Sequence, residues 1–384
     1  MLVEKVQVAG GGIAGLAAGV ALRDRGVEVE IHEKFAELQG RATGFSIWAY
    51  AIKRLMEWGF DRERLDSIGR EIVESHIVDG KDRPLLTLPV REASAEVGAP
   101  SMDVDRRRLQ EAMIELIGAE RYRFASEVTG VEEGDDGVAL ILADGSRAEG
   151  DLVLGGDGVH SVIRDRVLEQ SVDLKRSRYE VIEGLAPFDE RYLPRGQNKQ
   201  VWGSKARCGV GWVSDEKVRW FLGGRGIALA GDPPLSKDEL LARVDGMPNI
   251  VSAVLEATDE AQIVRTEVRH GYPPKSWHAG RTVLLGDAAH TLSPFAGMGA
   301  CSTIEDVDHL VRLLEESPSL DDALSTFQRE REGDVAKIEK TGRRNEQMMM
   351  PSNPLFYWTR NEVLGHTPDE KLLSIAEGMT SDES

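Results

Sequence analysis

Cysteine is nearly missing from this chain. Of 384 residues only Cys208 and Cys301 are cysteines, far apart and without Cys-x-x-Cys spacing, so neither a disulfide framework nor a cysteine zinc site can be built. No apolar run approaches the ~20 residues that a membrane-spanning helix requires. The first residues form a strand-like run with no basic segment and no apolar signal core. These absences predict a cytoplasmic protein with no membrane insertion. Basic residues are also in the minority: 47 Lys and Arg against 66 Asp and Glu give a net charge of -19, which repels nucleic acid and anionic surfaces over long range. No nucleic-acid partner is expected. Internal repeats and low-complexity tracts are absent, and 41% hydrophobic residues suffice for one large or two interwoven domains with substantial cores.

What the chain does have is glycine in three informative places. The apolar run Val6 to Ala9 leads into Gly10-Gly11-Gly12-Ile13-Ala14-Gly15 and then an apolar helical stretch, the strand-turn-helix setting that a dinucleotide fingerprint needs. Gly10 permits the tight turn, Gly12 lets backbone approach a pyrophosphate, and Gly15 lets the helix pack closely on the sheet. The helix N-terminus then presents free N–H groups and a positive dipole end to phosphate. Glu33, closing a second apolar run, is placed to accept from a ribose hydroxyl. Further on, Gly155-Gly156-Asp157-Gly158 and Gly286-Asp287-Ala288-Ala289-His290 each follow a strand-like run.

Between these segments the periodicity predicts short strands from Ile72 to Val97, a helix opening at Val104-Asp105 and a hairpin turning at Asp144-Gly145. Strand-like runs fill Lys199 to Val213 and Val218 to Gly223. Helices are expected from Ala300 to Glu315 and from Leu320 to Glu339; after the Met348-Met349-Met350 run and the Phe356-Tyr357-Trp358 cluster, the chain closes in a polar tail ending Thr380 to Ser384.

The order and content of the three segments, with the middle one running on to Val159-His160-Ser161-Val162-Ile163-Arg164, resemble the FAD-dependent aromatic hydroxylases, such as para-hydroxybenzoate and salicylate hydroxylase, over about residues 3 to 345. The resemblance implies an α/β fold: a Rossmann-like FAD-binding domain (1–71, 100–170 and 280–345) interleaved with a β-rich substrate domain (72–99 and 171–279), then a C-terminal helical segment and tail (346–384). It implies FAD as cofactor and NADH or NADPH as co-substrate. The activity implied is a monooxygenase that uses a flavin C4a-hydroperoxide to insert one atom of O2 into an aromatic or electron-rich small molecule, by hydroxylation before epoxidation. By position it assigns Asp157, with Gly158 and Arg164, to cofactor contacts and Asp287 to the ribityl chain. The backbone of Gly297, Gly299, Ala300 and Cys301 passes the isoalloxazine ring, Arg106 reaches the pyrophosphate region, and Arg41 lies near the mobile flavin. Ala14, Lys34 and Val128 complete the cofactor-binding set. Met298 stands where most relatives carry Gln, which removes a side-chain amide and leaves backbone binding intact.

Other readings stay open at this level. Asp157 and Asp287 also suit turn or helix caps, Arg106 also suits a solvated helix face beside Arg107 and Arg108, and His290 and Cys301 suit structural roles. Trp202, Trp212, Trp220, Tyr272 and Phe295 fit a core as well as a pocket. His270, His278 and Arg207 lie in the expected substrate region, and no residue is assigned as catalytic acid or base. A second dinucleotide fingerprint is missing, which argues against two-fingerprint flavoenzymes; the alternatives are a flavin-dependent reductase or other oxidoreductase on the same scaffold, or a non-catalytic flavin binder. The oligomeric expectation is monomer or homodimer.

Overall fold

The computed structural model describes residues 1–39, 42–134, 137–167, 172, 174–177, 180–229, 233–270 and 273–381. Its first layer is a six-stranded sheet in the order His278–Ala279, Thr282–Leu284, Leu152–Gly155, Lys5–Ala9, Glu28–His32, Tyr122–Arg123, all parallel except the pair at its His278–Ala279 edge. Parallel strands need covered faces, and the sequence supplies the cover. Helix Ile13–Asp24 is buried from Ile13 to Leu22. A Cβ on its Gly19 would press within 2.8 Å of both Ile31 and Ile117, so glycine sets how closely this helix meets the sheet and helix Arg106–Ile117.

A second, seven-stranded sheet runs Val264–Thr266, Val181–Pro187, Lys217–Gly223, Arg207–Trp212, Gln197–Trp202, Glu74–Asp79, Pro84–Leu88. The period of two divides it cleanly. Cys208, Val210 and Trp212 stand opposite Leu222, Trp220 and Val218 and join Leu240, Val251, Val254 and Leu255 in a separate core. Burial of each aliphatic chain there contributes about 1.5–3 kcal/mol. The alternate positions, Arg207, Gly209 and Gly211 beside Phe221 and Arg219, lie on the opposite face.

That opposite face meets a three-stranded sheet of Gly44–Ile47, Met102–Asp105 and Gly69–Glu71. Arg219 donates from Nε to Asp103 at 2.8 Å and from Nη2 to Ser46 at 2.7 Å, with both members of the ion pair buried. A Cβ on Gly211 would collide with the Asp103 carboxylate, so this strand carries glycine where the two sheets are stitched. Asp103, in the strand that leads into helix Arg106–Ile117, is spent on this stitch. Asp105 is the N-cap, accepting from Arg107 and Arg108 N–H.

Two further differences from the sequence expectation have local causes. Val90–Val97 is a helix, ended by Gly98 in the left-handed region; its apolar Val90, Ala93 and Val97 follow helical spacing that the preceding strands obscure. The long helix continues past Glu339 to Met349. Helices Pro354–Gly365, capped by Asn353, and Asp369–Thr380 follow, within the span read as a C-terminal helical segment and tail. Among the described residues no helix is long and apolar enough to cross a membrane.

Candidate functional site

The three glycine segments meet at one point, at the C-terminal ends of strands Lys5–Ala9, Leu152–Gly155 and Thr282–Leu284. Gly10 takes φ +99°, and a Cβ there would lie 2.5 Å from the Gly156 carbonyl. Gly156 in turn abuts Gly15 N and the Ala14 methyl, and a Cβ on Gly286 would reach Ala14 at 3.4 Å. A Cβ on Gly15 would strike the Gly10 carbonyl. Gly11 has a reason that sequence did not supply: Tyr122 donates its hydroxyl to the Gly11 carbonyl at 3.0 Å and fills the space a side chain would need. Burial, and then the nearby Glu33 carboxylate, push the Tyr122 pKa well above its ordinary value, so the hydroxyl stays a donor.

Around this knot the backbone is open where a ligand would approach. Gly12, Gly297 and Gly299 face no atom within 4 Å of an added Cβ. Helices Ile13–Asp24 and Gly299–Glu316 both begin without a side-chain cap, leaving N–H groups and positive dipole ends for an anion. Ala300 and Cys301 form the first turn of the second helix. Glu33 accepts from Gly11 N–H at 3.0 Å, which puts its carboxylate beside the phosphate turn. Lys34 is exposed over the Phe35 ring, and Val128 begins a strand two residues after Ser126, which bonds His32. Arg41 lies outside the described residues.

Asp157 uses Oδ2 to accept from the Val162 and Ile163 amides at 2.7 and 3.1 Å, which is the capping reading. Its Oδ1 is buried without a hydrogen-bonding donor, and burial lifts the carboxyl above its ordinary range. Arg164 is buried and bonds the carbonyls of Val159 and Ala288; it ties the second glycine segment to the third and points at no open space.

Asp287 has an accessible side chain, yet the protein around it raises its carboxyl by desolvation, with His290 and Arg106 pulling the other way. A side chain that solvent reaches although protein surrounds it stands in a recess of the surface. Behind it, buried Asp306 accepts from His290 Nε2 at 2.6 Å, from Gly286 N–H at 3.0 Å and from Arg331 Nε at 2.8 Å. Burial alone would raise this carboxyl, but His290 and Arg331 bring it down to about 2. His290 is therefore a strut. Opposite, Trp48 donates its indole N–H to the Gly297 carbonyl at 3.3 Å and its backbone N–H to Cys301 Sγ at 3.4 Å. The Cys301 thiol is pushed up to about 12 by burial, which suits a packed group and not a nucleophile.

The seven-stranded sheet supplies a floor beside this loop. Arg207 lies 5.0 Å from the Phe221 ring centroid and 5.8 Å from that of Phe295, the residue that leads into Gly297. Its Nη2 donates to Gln200 Oε1 at 2.8 Å, which also accepts from the Trp202 indole at 3.2 Å. A Cβ on Gly209 would strike the Phe221 ring, so glycine clears room for that ring to lie flat. Trp212 and Trp220 face the other core. His278 is on the far edge strand of the first sheet, Tyr272 lies outside the described residues, and His270 is placed only by its backbone, paired with Lys175. No group of three or more His, Cys, Asp or Glu among the described residues suits a metal. A charged surface hollow lined by Arg23, Glu28, Glu30, Glu120 and Arg123 contains none of the site residues.

Uncapped helix starts, open glycines and an accessible acid inside the protein fit one elongated dinucleotide whose pyrophosphate and ribityl ends are held separately. Residues 4–341 match the family described as FAD binding domain. The chain belongs to the FAD-dependent aromatic hydroxylase family. It is similar to the aurachin C monooxygenase/isomerase of Stigmatella aurantiaca, 32% identical over 359 residues covering 94% of this chain and 93% of that protein. It is also similar to the FAD-dependent urate hydroxylase of Klebsiella oxytoca, 29% identical over 332 residues and 85% of each chain. Among solved structures, Klebsiella pneumoniae HpxO with FAD and uric acid aligns over 98% of this chain and 96% of that one, at 25% identity and a TM-score of 0.89. As a member of this family the chain is an FAD-dependent monooxygenase.

Three contributors escaped sequence reading. Tyr122, Trp48 and Arg331 follow no motif, since each acts from a separate element. Asp306 left a faint signal: a carboxylate on the same helix as Ile304, Val307, Leu310 and Val311, all buried.

Proposed function

We propose that this monooxygenase takes its electrons from NADH or NADPH and hydroxylates a flat, electron-rich aromatic or heteroaromatic molecule that carries an acidic group. The observation behind the substrate class is Arg207: a guanidinium between two aromatic rings, on the sheet face beside the Phe295 to Cys301 loop. Bound FAD supplies the redox chemistry, activating O2 for transfer of one oxygen atom. This chain's own residues position and exclude. Gly10 to Gly15 and Arg106 hold the pyrophosphate end, Asp287 the ribityl end, and the amides of Gly299, Ala300 and Cys301 face the ring, while Trp48 seals the loop. Phe221 and Phe295 stack on the substrate plane and keep water away. Arg207 pairs with the substrate anion and so favours its electron-rich form. The urate hydroxylases among the relatives act on a molecule of this kind, which supports the reading.

The test is NAD(P)H oxidation with oxygen uptake by the yellow, FAD-loaded protein against a panel of phenols, hydroxybenzoates and oxopurines. An acidic member should stimulate consumption, and Arg207→Gln should raise its KM about 10- to 100-fold, the worth of one charge-assisted hydrogen bond, with the flavin spectrum unchanged. Bound flavin with no substrate-stimulated oxygen uptake from any member would sink the assignment.

A further inference from the structure

Helix Pro354–Gly365 is built inside out. Its inward face is polar: Arg360 and Asn361 are buried, Arg360 donates to the carbonyls of Met348 and Trp202, each at 2.9 Å, Asn361 donates to Asp79 at 3.1 Å, and the Tyr357 hydroxyl accepts from Gly80 N–H at 3.1 Å. Its outward face carries Leu355, Phe356, Trp358 and Val363, with relative exposures of 69%, 48%, 57% and 65%. At 100° per residue these four, with Thr359 and Glu362, occupy one side of the helix. A soluble protein gains nothing by placing such a face in water.

We infer that this face is the interface of a homodimer, in which the same helix from a second copy of the chain covers it about a two-fold axis. Two arguments select a second copy over a lipid surface. The one cation of the helix, Arg360, points inward and is consumed by carbonyls, and the outward face holds a single charge, the acid Glu362. Helices that lie on membranes carry Lys and Arg on their polar face for anionic headgroups, and this helix presents neither to the outside. Area is the other argument. The four exposed side chains offer roughly 500 Å² per copy, and an isologous pair uses every contact twice, reaching about 1,000 Å², the lower bound for a specific interface.

Sedimentation velocity on the FAD-loaded full chain, from about 1 to about 100 µM, measures this directly. Wild type should shift from chain mass to twice chain mass across that range. The double substitution Leu355→Glu with Trp358→Glu should move the midpoint up at least ~100-fold with the flavin absorbance retained, whereas Met56→Glu, at an exposed apolar residue elsewhere, should leave it in place. Three results would overturn the inference: wild type at single mass throughout, a double variant that dimerises as wild type does, or monomeric wild type that floats with neutral phosphatidylcholine vesicles.

Discussion

Asp306 is buried behind Asp287 and, through Gly286 and His290, fixes the loop that presents it. Replacing it with Asn removes one partner each from His290 and Arg331 inside the protein, a change that costs about 3–5 kcal/mol for a buried pair. Urea unfolding should show that loss, together with weaker FAD retention on gel filtration. The pH dependence has a definite sign. The carboxyl sits at about 2 in the folded chain against an unfolded value of ~3.9, so its contribution is complete above that unfolded value and is lost as pH falls toward 2. The wild-type unfolding free energy should therefore fall more steeply than that of Asp306→Asn as pH is lowered below about 4. At Cys208 and Cys301, burial pushes both thiols to about 12. Iodoacetamide at mildly alkaline pH should leave the native mass unchanged and add two carbamidomethyl groups only after unfolding; rapid native labelling of Cys301 would contradict the packed position beside Trp48.

At the scale of elements, Gly10→Ala sets a methyl against the Gly156 carbonyl in a backbone conformation that disfavours it. The expected result is a folded, colourless protein, checked by circular dichroism alongside the flavin absorbance. Arg360→Met keeps the packing volume of its helix but strips the donors from the Met348 and Trp202 carbonyls. A loss of about 2–4 kcal/mol should follow in chemical denaturation, from two buried acceptors left without donors. These elements also mark what the sequence disclosed. The strand-turn-helix at Gly10, the helix from Arg106 and the Asp144-Gly145 hairpin were legible because turn chemistry and periodicity act within a few residues. The parallel pairing of Gln197–Trp202 with Glu74–Asp79, the Tyr122 prop under Gly11 and the Arg219–Asp103 stitch were not, since each joins residues more than a hundred positions apart. Inverted polarity hid the bounds and facing of the Pro354–Gly365 helix within the expected C-terminal helical segment for a different reason: an apolar face normally marks the inside, and here it marks the outside.

For the whole molecule, the cofactor site and the Arg207 floor belong to different sheets, and Asp103 with Arg219 and Ser46 is the buried polar join between them. Breaking it with Arg219→Met should raise substrate KM more than it weakens FAD binding, because the phosphate turn is built wholly from the first sheet; steady-state kinetics beside flavin titration would show the split. The convergence of Gly10 to Gly15 with Gly286 to Cys301 has a consequence in time. About 290 residues separate Gly15 from Cys301, and ribosomes add about 5–20 residues per second, so roughly 15 to 60 seconds pass between synthesis of the two halves of one cradle. During that interval the first βαβ unit is exposed without the helix Gly299–Glu316 that packs on it, and strand Leu152–Gly155 beside it lacks its outer neighbour Thr282–Leu284. Cofactor capture is therefore a late event in the life of the nascent chain, and a cell short of flavin would accumulate a finished polypeptide whose last-formed loop has nothing to close upon.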